Sequence, residues 1–383
     1  MISDPMQQLT CSRCTWTSPL DRAWNLCPSC SAPILVQYDL IPDEGLPSRM
    51  RSRPSNMWRY REVLPAVPSA SIVTLGEGMT PLLPATTLGR ELSMSRLFVK
   101  DESLNPTRSF KSRGMAAAVT MARHFGAHRL MAPTAGNAGA ALSAYGASAG
   151  LPVFVAMPKD TPKSIVNECR SYGADVELVE GVITDAARIV QQRIAAEGGF
   201  DLSTLKEPYR VEGKKIMGYE LLEDLGRLPD VILYPTGGGT GLIGMWKAFG
   251  EMQRLGWIGG ERPRMVSVQS SGCAPVVRAF EQHLETAPEW ESPHTSAWGL
   301  RVPRALGDRL MLRALYDSNG GAVAVEERAI EAGANELRRK EGIDAGPEAG
   351  AALIALRILL DQGKIHREET VVLFNTGGNK YFD

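Results

Sequence analysis

The stretch Asn105–Met115 reads NPTRSFKSRGM and sets Lys111 directly after Phe110, at the point where a helical pattern begins near Ser109. A cation in the first turn of a helix is unfavourable, because the helix dipole places partial positive charge at that end. The same field, together with burial against Phe110, lowers a lysine pKa and raises the share of neutral amine, the form that makes a Schiff base. A solvated lysine whose stem covers the phenyl ring is the alternative.

Three further loops carry chemistry. YPTGGGTGLIG follows an apolar run, and Gly237, Gly238, Gly239 and Gly241 let successive amides converge while a helix starting near Thr240 adds its dipole, a cradle for a phosphate. Gly239, Gly241 and Gly244 also satisfy a dinucleotide pattern, but the next strand ends in Gln269 and serines where an acidic residue would be needed for a ribose. In APTAGNAG, Asn137 stands among small residues at a helix start, where its amide can meet a ring oxygen or simply cap the helix. In LFNTGGNKYFD, Thr376 leaves an apolar strand for a Gly-Gly turn, and its hydroxyl can reach a ring nitrogen or serve the turn alone. An aldehyde for lysine, a phosphate for the glycines, a ring oxygen for Asn137 and a ring nitrogen for Thr376 together describe pyridoxal phosphate.

Such loops need strands to carry them. The runs RLFVK, HRLMA, PVFVAM, DVELV, DVILYP, RMVSVQ and TVVLF are separated by longer stretches of helical composition, the pattern of parallel sheets covered by helices. In open α/β sheets the ligand groups sit on loops leaving the carboxyl ends of strands. With 383 residues and 44% hydrophobic content, the chain is long enough for two such sheets and a small appendage.

The appendage is announced by cysteines. Cys11, Cys14, Cys27 and Cys30 form CSRC and CPSC twelve residues apart, the spacing of two knuckles around a tetrahedral, structural zinc with no open ligand position. Two disulfides or four free thiols are the alternatives, disfavoured in a reduced compartment. Cys169 and Cys273 read as small buried hydrophobes. Residues 41–70, rich in Pro, Arg and Ser, read as an extended connector with at most one short helix. The formal net charge of -1 gives no global field for nucleic acid or a membrane surface, and the sequence shows neither a leader pattern nor an apolar run long enough to span a bilayer, so the expectation is a cytoplasmic protein.

The motifs LGEGMTPL, KDESLNPTRSFKSRGM, TAGNAG, YRVEGKKIMGYELLEDLG, PTGGGTG and NTGGNKY, in this order from about residue 70 to the end, resemble threonine synthase and its relatives among the fold type II (tryptophan synthase β-like) pyridoxal phosphate enzymes. The resemblance implies two open twisted-sheet α/β domains: a large one from residues 41–113 and 206–383, and a small mobile one from residues 114–205, with a zinc ribbon over residues 1–40. It assigns Lys111 to the Schiff base and proton transfer, Asn137 to the ring oxygen, Gly237 to Gly241 to the cofactor phosphate, and Thr376 to the ring nitrogen. Phe110 lies beside the cofactor. The implied reaction converts O-phospho-L-homoserine and water to L-threonine and phosphate, with Arg210 and Lys214 as ligands of the substrate phosphate and Lys206 as a weaker one; a solvated basic helix start is the alternative. Arg108, Ser109, Thr134, Ala135 and Gly136 complete the expected substrate site. The expected partners are a small phosphorylated amino acid and a second copy of the chain in a homodimer.

The sequence departs from the family pattern where Arg108 replaces a common Gly, where Ala135 and Ala138 replace hydroxyl residues, and where TGGNKY replaces a Gly-Leu before the lysine. Lost hydroxyls remove donors and Arg108 adds a fork of them, so the substrate is left open. Threonine or serine dehydration, replacement chemistry on another amino acid, and a cofactor-binding pseudoenzyme are the competing readings, the last disfavoured by retention of Lys111.

Overall fold

In the computed structural model of the chain, which describes residues 7–379, the strands form three separate sheets. Lys380 and Tyr381 of the terminal motif lie outside the described residues. The first sheet belongs to the N-terminal ribbon, where β1 (Gln7–Cys11), β2 (Thr17–Pro19) and β3 (Ile34–Tyr38) pair antiparallel in the order β2-β1-β3.

The following segment is not the extended connector that its Pro, Arg and Ser content suggests. A helix over Leu46–Arg51 and a 3-10 segment over Met57–Val63 place Met50, Met57, Trp58, Tyr60, Val63 and Leu64 in the main core. Arg59 is buried as well, donating to the Met50 carbonyl at 3.1 Å and to Glu223 at 3.0 Å. Apolar residues scattered among prolines and charges have no period to read, yet they bury as much surface as residues in a regular helix.

The chain then builds one edge of the large sheet with β4 (Leu82–Pro84) and β5 (Leu97–Asp101). It crosses to a second sheet, β6 (Leu130–Pro133), β7 (Val153–Pro158), β8 (Asp175–Val179) and β9 (Phe200–Asp201), and returns for β10 (Val231–Pro235), β11 (Arg264–Ser270), β12 (Gly321–Val325) and β13 (Val371–Asn375). The large sheet runs β12-β11-β10-β13-β5-β4, parallel except for β4, and the small one runs β8-β7-β6-β9, all parallel. All seven apolar runs are strands. The sequence pattern misses β4, β9 and β12, which are short or begin with Gly and Ala.

Two of the crossover helices are buried on nearly all sides. The helix Lys111–His124 is enclosed from Ser112 to Ala122, and Tyr209–Leu225 from Tyr209 to Leu221. Glycines let them touch. A Cβ on Gly213 would lie 2.0 Å from the Arg113 carbonyl oxygen, and one on Gly114 would lie 2.9 Å from Lys214 Cε. Beneath this crossing Arg113, fully buried, donates to Glu102 at 2.6 and 2.8 Å and to Glu220 at 2.5 and 2.7 Å. Lys100 joins the network through Glu220 at 3.0 Å.

Among the described residues no helix is long and apolar enough to cross a membrane.

Removing the guanidinium would strand two buried carboxylates. We expect Arg113→Ala to lower unfolding free energy by about 3–5 kcal/mol in a urea titration; a loss below about 1 kcal/mol would show that the network relaxes without it.

Candidate active site

Four loops at the carboxyl ends of strands converge. Those after β5, β10 and β13 come from the large sheet, and that after β6 comes from the small one. The β5 loop and the C-terminal turn are joined directly: the Phe110 amide donates to the Thr376 carbonyl at 3.1 Å, and Ser109 forms a β-bridge with Gly377. That bridge holds Ser109 extended, at φ -161° and ψ 158°. The helix therefore begins at Lys111, two residues after the point the sequence pattern suggests.

Before the bridge, Thr107 and Arg108 both adopt left-handed backbone, with φ of 55° and 53°. A glycine is the natural residue for such a position, which accounts for the Gly commonly found at the site of Arg108. The Arg108 guanidinium is ion-paired with Asp344 at the surface, where it braces the C-terminal turn. That pairing engages Nη2 with a carboxylate of the segment beside the turn and gives the side chain a structural partner.

Lys111 is half-buried, and its Nζ stands 4.0 Å from the centroid of the Phe110 ring. Lys214 reaches the same ring, with Nζ 4.7 Å from the centroid, and donates to Thr240 Oγ1 at 2.6 Å. Lys214 is fully buried. It is thus no solvated helix start; it meets the first residue of the helix that follows the glycine loop. Arg210, also buried, donates through Nη1 to the Leu202 carbonyl at 2.9 Å and to Thr204 Oγ1 at 3.4 Å, while its buried Nε has no hydrogen-bond partner among the described residues and stands 4.0 Å from Glu207 Oε1. Lys206 lies apart, paired with Asp201 at 3.2 Å.

The glycine loop runs from Gly237 to Gly239 into the helix Thr240–Arg254. Gly239 has φ +75°, and a Cβ there would sit 2.0 Å from Met311 Sδ. Gly241 is needed for a different reason, since its Cβ would meet the Tyr234 hydroxyl at 1.9 Å. Across the cleft, Asn137 is the first residue of the helix Asn137–Ala149, with Gly136 in the cap position, so its side chain is not the cap. Asn137 Oδ1 is buried without a partner, as is Ser109 Oγ. Thr134 spends its hydroxyl on the turn, accepting from the Gly136 and Gly139 amides at 3.3 and 3.1 Å. Ala135 offers no side-chain donor. Thr376 is buried at the end of β13, and a Cβ on the adjacent Gly377 would lie 3.2 Å from Asn137 Nδ2.

The electrostatics follow from this crowding. Burial pushes the Lys111 ammonium down to about 7, the Arg210 charge adds to the shift, and Glu348 opposes it. Lys214 is depressed as well, by burial and then by Arg210 and Lys111. Two buried carboxyls that sequence reasoning missed balance the cations. Glu207 accepts from the Tyr209 and Arg210 amides at 2.7 and 3.0 Å and is raised to about 7 by burial. Glu348 accepts from the Gly299 amide at 2.8 Å and is likewise raised by burial. Each lies next to a proline at a helix start, in KEPYR and GPEAG, the one cue in the sequence.

These residues fit pyridoxal phosphate: a depressed lysine for an aldehyde, an unpartnered Asn oxygen, a buried threonine, and a glycine-rich helix start with a buried lysine beside it. A family model for pyridoxal-phosphate dependent enzyme matches residues 73–377. The chain belongs to this family. Within it, the chain is 34% identical to the threonine synthase of Methanocaldococcus jannaschii, across 96% of this chain and 91% of that protein. It is 33% identical to the threonine synthase of Methanosarcina acetivorans over 97% and 91%, and 31% identical to that of Mycobacterium tuberculosis over 83% and 86%. The fold is that of maize serine racemase, with TM-score 0.68 and 20% identity over 79% of this chain and 88% of the other. A fungal L-serine ammonia-lyase from Rhizomucor miehei gives TM-score 0.67 and 22% identity over 80% and 95%. The protein is a pyridoxal-phosphate-dependent enzyme by this membership.

In the ribbon, the sulfur atoms of Cys11, Cys14, Cys27 and Cys30 lie within 4.8 Å of one another. The pairs Cys11–Cys30 and Cys14–Cys27 stand 3.4 and 3.6 Å apart. A tetrahedron with metal–sulfur arms of about 2.3 Å has edges of about 3.8 Å, whereas a disulfide needs about 2.05 Å. The cluster fits a metal site and holds four free thiols.

The lysine makes a direct test possible. In cofactor-free protein, acetic anhydride labelling of Lys111, read by mass spectrometry, is expected to titrate with a midpoint near pH 7. Below that midpoint the amine is protonated and unreactive; an ordinary lysine would still be only about 3% neutral at pH 9. Arg210→Gln removes a neighbouring positive charge and moves the midpoint upward; a wild-type midpoint above 9 would show that the amine is solvated.

Proposed function

We propose that the enzyme converts O-phospho-L-homoserine and water to L-threonine and inorganic phosphate. The observation that supports this reading most directly is the convergence of Lys111, Lys214 and Arg210, three cationic groups in one largely buried cleft, on a chain that is similar to threonine synthases over nearly its whole length. Lys111 serves the amine chemistry, and Lys214 and Arg210 remain for phosphates.

Pyridoxal phosphate, when bound, supplies an aldehyde to capture amines and a ring that draws electrons from the substrate carbons near the captured nitrogen. Lys214, Thr240 and the amides of Gly237, Gly238, Gly239 and Gly241 would hold its phosphate, Asn137 its ring oxygen and Thr376 its ring nitrogen. Phe110 would stand beside it. A threonine hydroxyl is neutral, so it leaves that nitrogen less electron-withdrawing than a carboxylate would. Arg210 would take the substrate's phosphate, with Ser109, Thr134 and the Gly136 backbone at the carboxylate end. Lys111 Nζ, in its neutral form, takes a proton from the substrate's α-carbon and then one from its β-carbon, and phosphate departs from the γ-carbon. A proton returned to the γ-carbon and water added at the β-carbon complete the product. The small sheet and its helices, residues 114–205, would close over the substrate and keep water away until that last addition.

We further propose one structural zinc in the four-cysteine cluster, held as thiolates with no vacant position for substrate. Elemental analysis should find about one zinc per chain, and Cys14→Ser together with Cys27→Ser should abolish it.

The activity is tested by incubating the holoenzyme with O-phospho-L-homoserine. Equimolar threonine and phosphate are expected, and Lys111→Ala should reduce turnover by at least about a thousandfold. Keto acid and ammonia from threonine or serine, with no phosphate release, would point instead to a dehydratase.

A further inference from the structure

The ribbon reaches the active site through one side chain. Asn25, between the two cysteine knuckles, donates from Nδ2 to the Asp201 carbonyl at 2.9 Å and to the Lys206 carbonyl at 2.9 Å. An amide nitrogen has two hydrogens, and here each finds one end of the same short loop. The loop links β9 of the small sheet to the helix Tyr209–Leu225 of the large domain.

What the loop carries makes the clamp consequential. The Leu202 carbonyl and Thr204 hydroxyl accept from Arg210 Nη1 at 2.9 and 3.4 Å. Thr204 stands over the glycine loop, so that a Cβ on Gly238 would lie 2.8 Å from its methyl carbon. Leu205, buried, is held in left-handed backbone at φ 61°, a conformation that persists only where the surroundings fix it. Within the loop Asp201 also accepts from the Ser203 amide at 2.9 Å and from its hydroxyl, and the Lys206 amide donates to the Ser203 carbonyl at 3.1 Å; the charged tie, Lys206 to Asp201 at 3.2 Å, involves a partly exposed lysine and is screened. A second ribbon contact reaches the adjacent helix, where Tyr209 Oη donates to the Arg22 carbonyl at 3.4 Å.

We propose that Asn25 is a positioning residue for the phosphate end of the cleft: by holding both ends of the Asp201–Lys206 loop it fixes Thr204 and Arg210 against the glycine loop. This rests on the reading that Arg210 takes the substrate phosphate. The ribbon is then part of the substrate site at one remove, and its contribution is to affinity for a phosphate monoester rather than to proton transfer at Lys111.

Two variants of the holoenzyme test it. Asn25→Ala removes the amide, and Asn25→Asp keeps its shape while replacing the NH2 group, with both its hydrogens, by an oxygen that repels the two carbonyls. Both should raise KM for O-phospho-L-homoserine and weaken inorganic phosphate binding, measured by calorimetry, by about tenfold, the scale of one or two lost hydrogen bonds. Turnover number, cofactor content and zinc content should stay within about twofold of wild type. Asn25→Asp behaving as wild type would overturn the proposal, since only shape would then matter. So would a parallel fall in turnover, cofactor content and melting temperature, which marks general loosening. Wild-type enzyme that binds phosphate but does not turn over O-phospho-L-homoserine would refute the proposed reaction, leaving the clamp to be judged on the calorimetry alone; wild-type enzyme that binds no phosphate would overturn both.

Discussion

Two helices that pass almost in backbone contact govern the site. The glycines at 114 and 213 allow Lys111–His124 and Tyr209–Leu225 to approach until Lys111 and Lys214 share one phenyl ring. Charge in a poorly solvated space costs free energy, the Arg210 charge adds to that cost, and the depressed lysines express it. The cost is useful. A neutral Lys111 is a nucleophile and a base, and a cleft with surplus cationic groups favours phosphate-bearing ligands.

The rest of the helix Tyr209–Leu225 is tied down by charge of a different kind. Lys215 is fully buried between Glu212 at 2.6 Å and Glu251 at 2.9 Å, with Lys247 bonded to the same carboxylates at 2.9 and 2.5 Å. Tyr38 of the ribbon donates to Glu212 at 2.7 Å, and its ring lies 3.9 Å from Lys215 Nζ. Neighbouring lysines on one helix thus have opposite surroundings: Lys215 is compensated and structural, and Lys214 has no carboxylate in contact. The ribbon meets both regions, packing β3 on the compensated side and setting Asn25 on the loop before the helix.

Much of this was legible in the sequence, for identifiable reasons. Parallel strands buried on both faces read as apolar runs, so seven strands were evident, whereas β4, β9 and β12 are too short or too poor in large residues to show a pattern. Lys111, Asn137, the glycine loop and Thr376 stood out because each is an unusual residue type at a strand-to-helix turn. What the sequence could not show is Arg108's surroundings: its left-handed backbone and its pairing with Asp344 involve a segment more than two hundred residues away. Glu207 and Glu348 were passed over because an acid at a helix start is ordinary; burial makes them exceptional.

The sequence by itself determined the chemistry that could occur: an amine at a helix start, a glycine cradle, four thiols at knuckle spacing, and strands to carry them. These are local properties, set by residue type and near neighbours. Only the tertiary structure decided that Lys214 meets Thr240 beside the glycine loop, that Arg108 pairs with Asp344, and that Asn25 bonds both ends of the loop before the helix Tyr209–Leu225. Those outcomes depend on distances between residues far apart in the chain and on the water that packing removes, and neither quantity is written in any short stretch of residues.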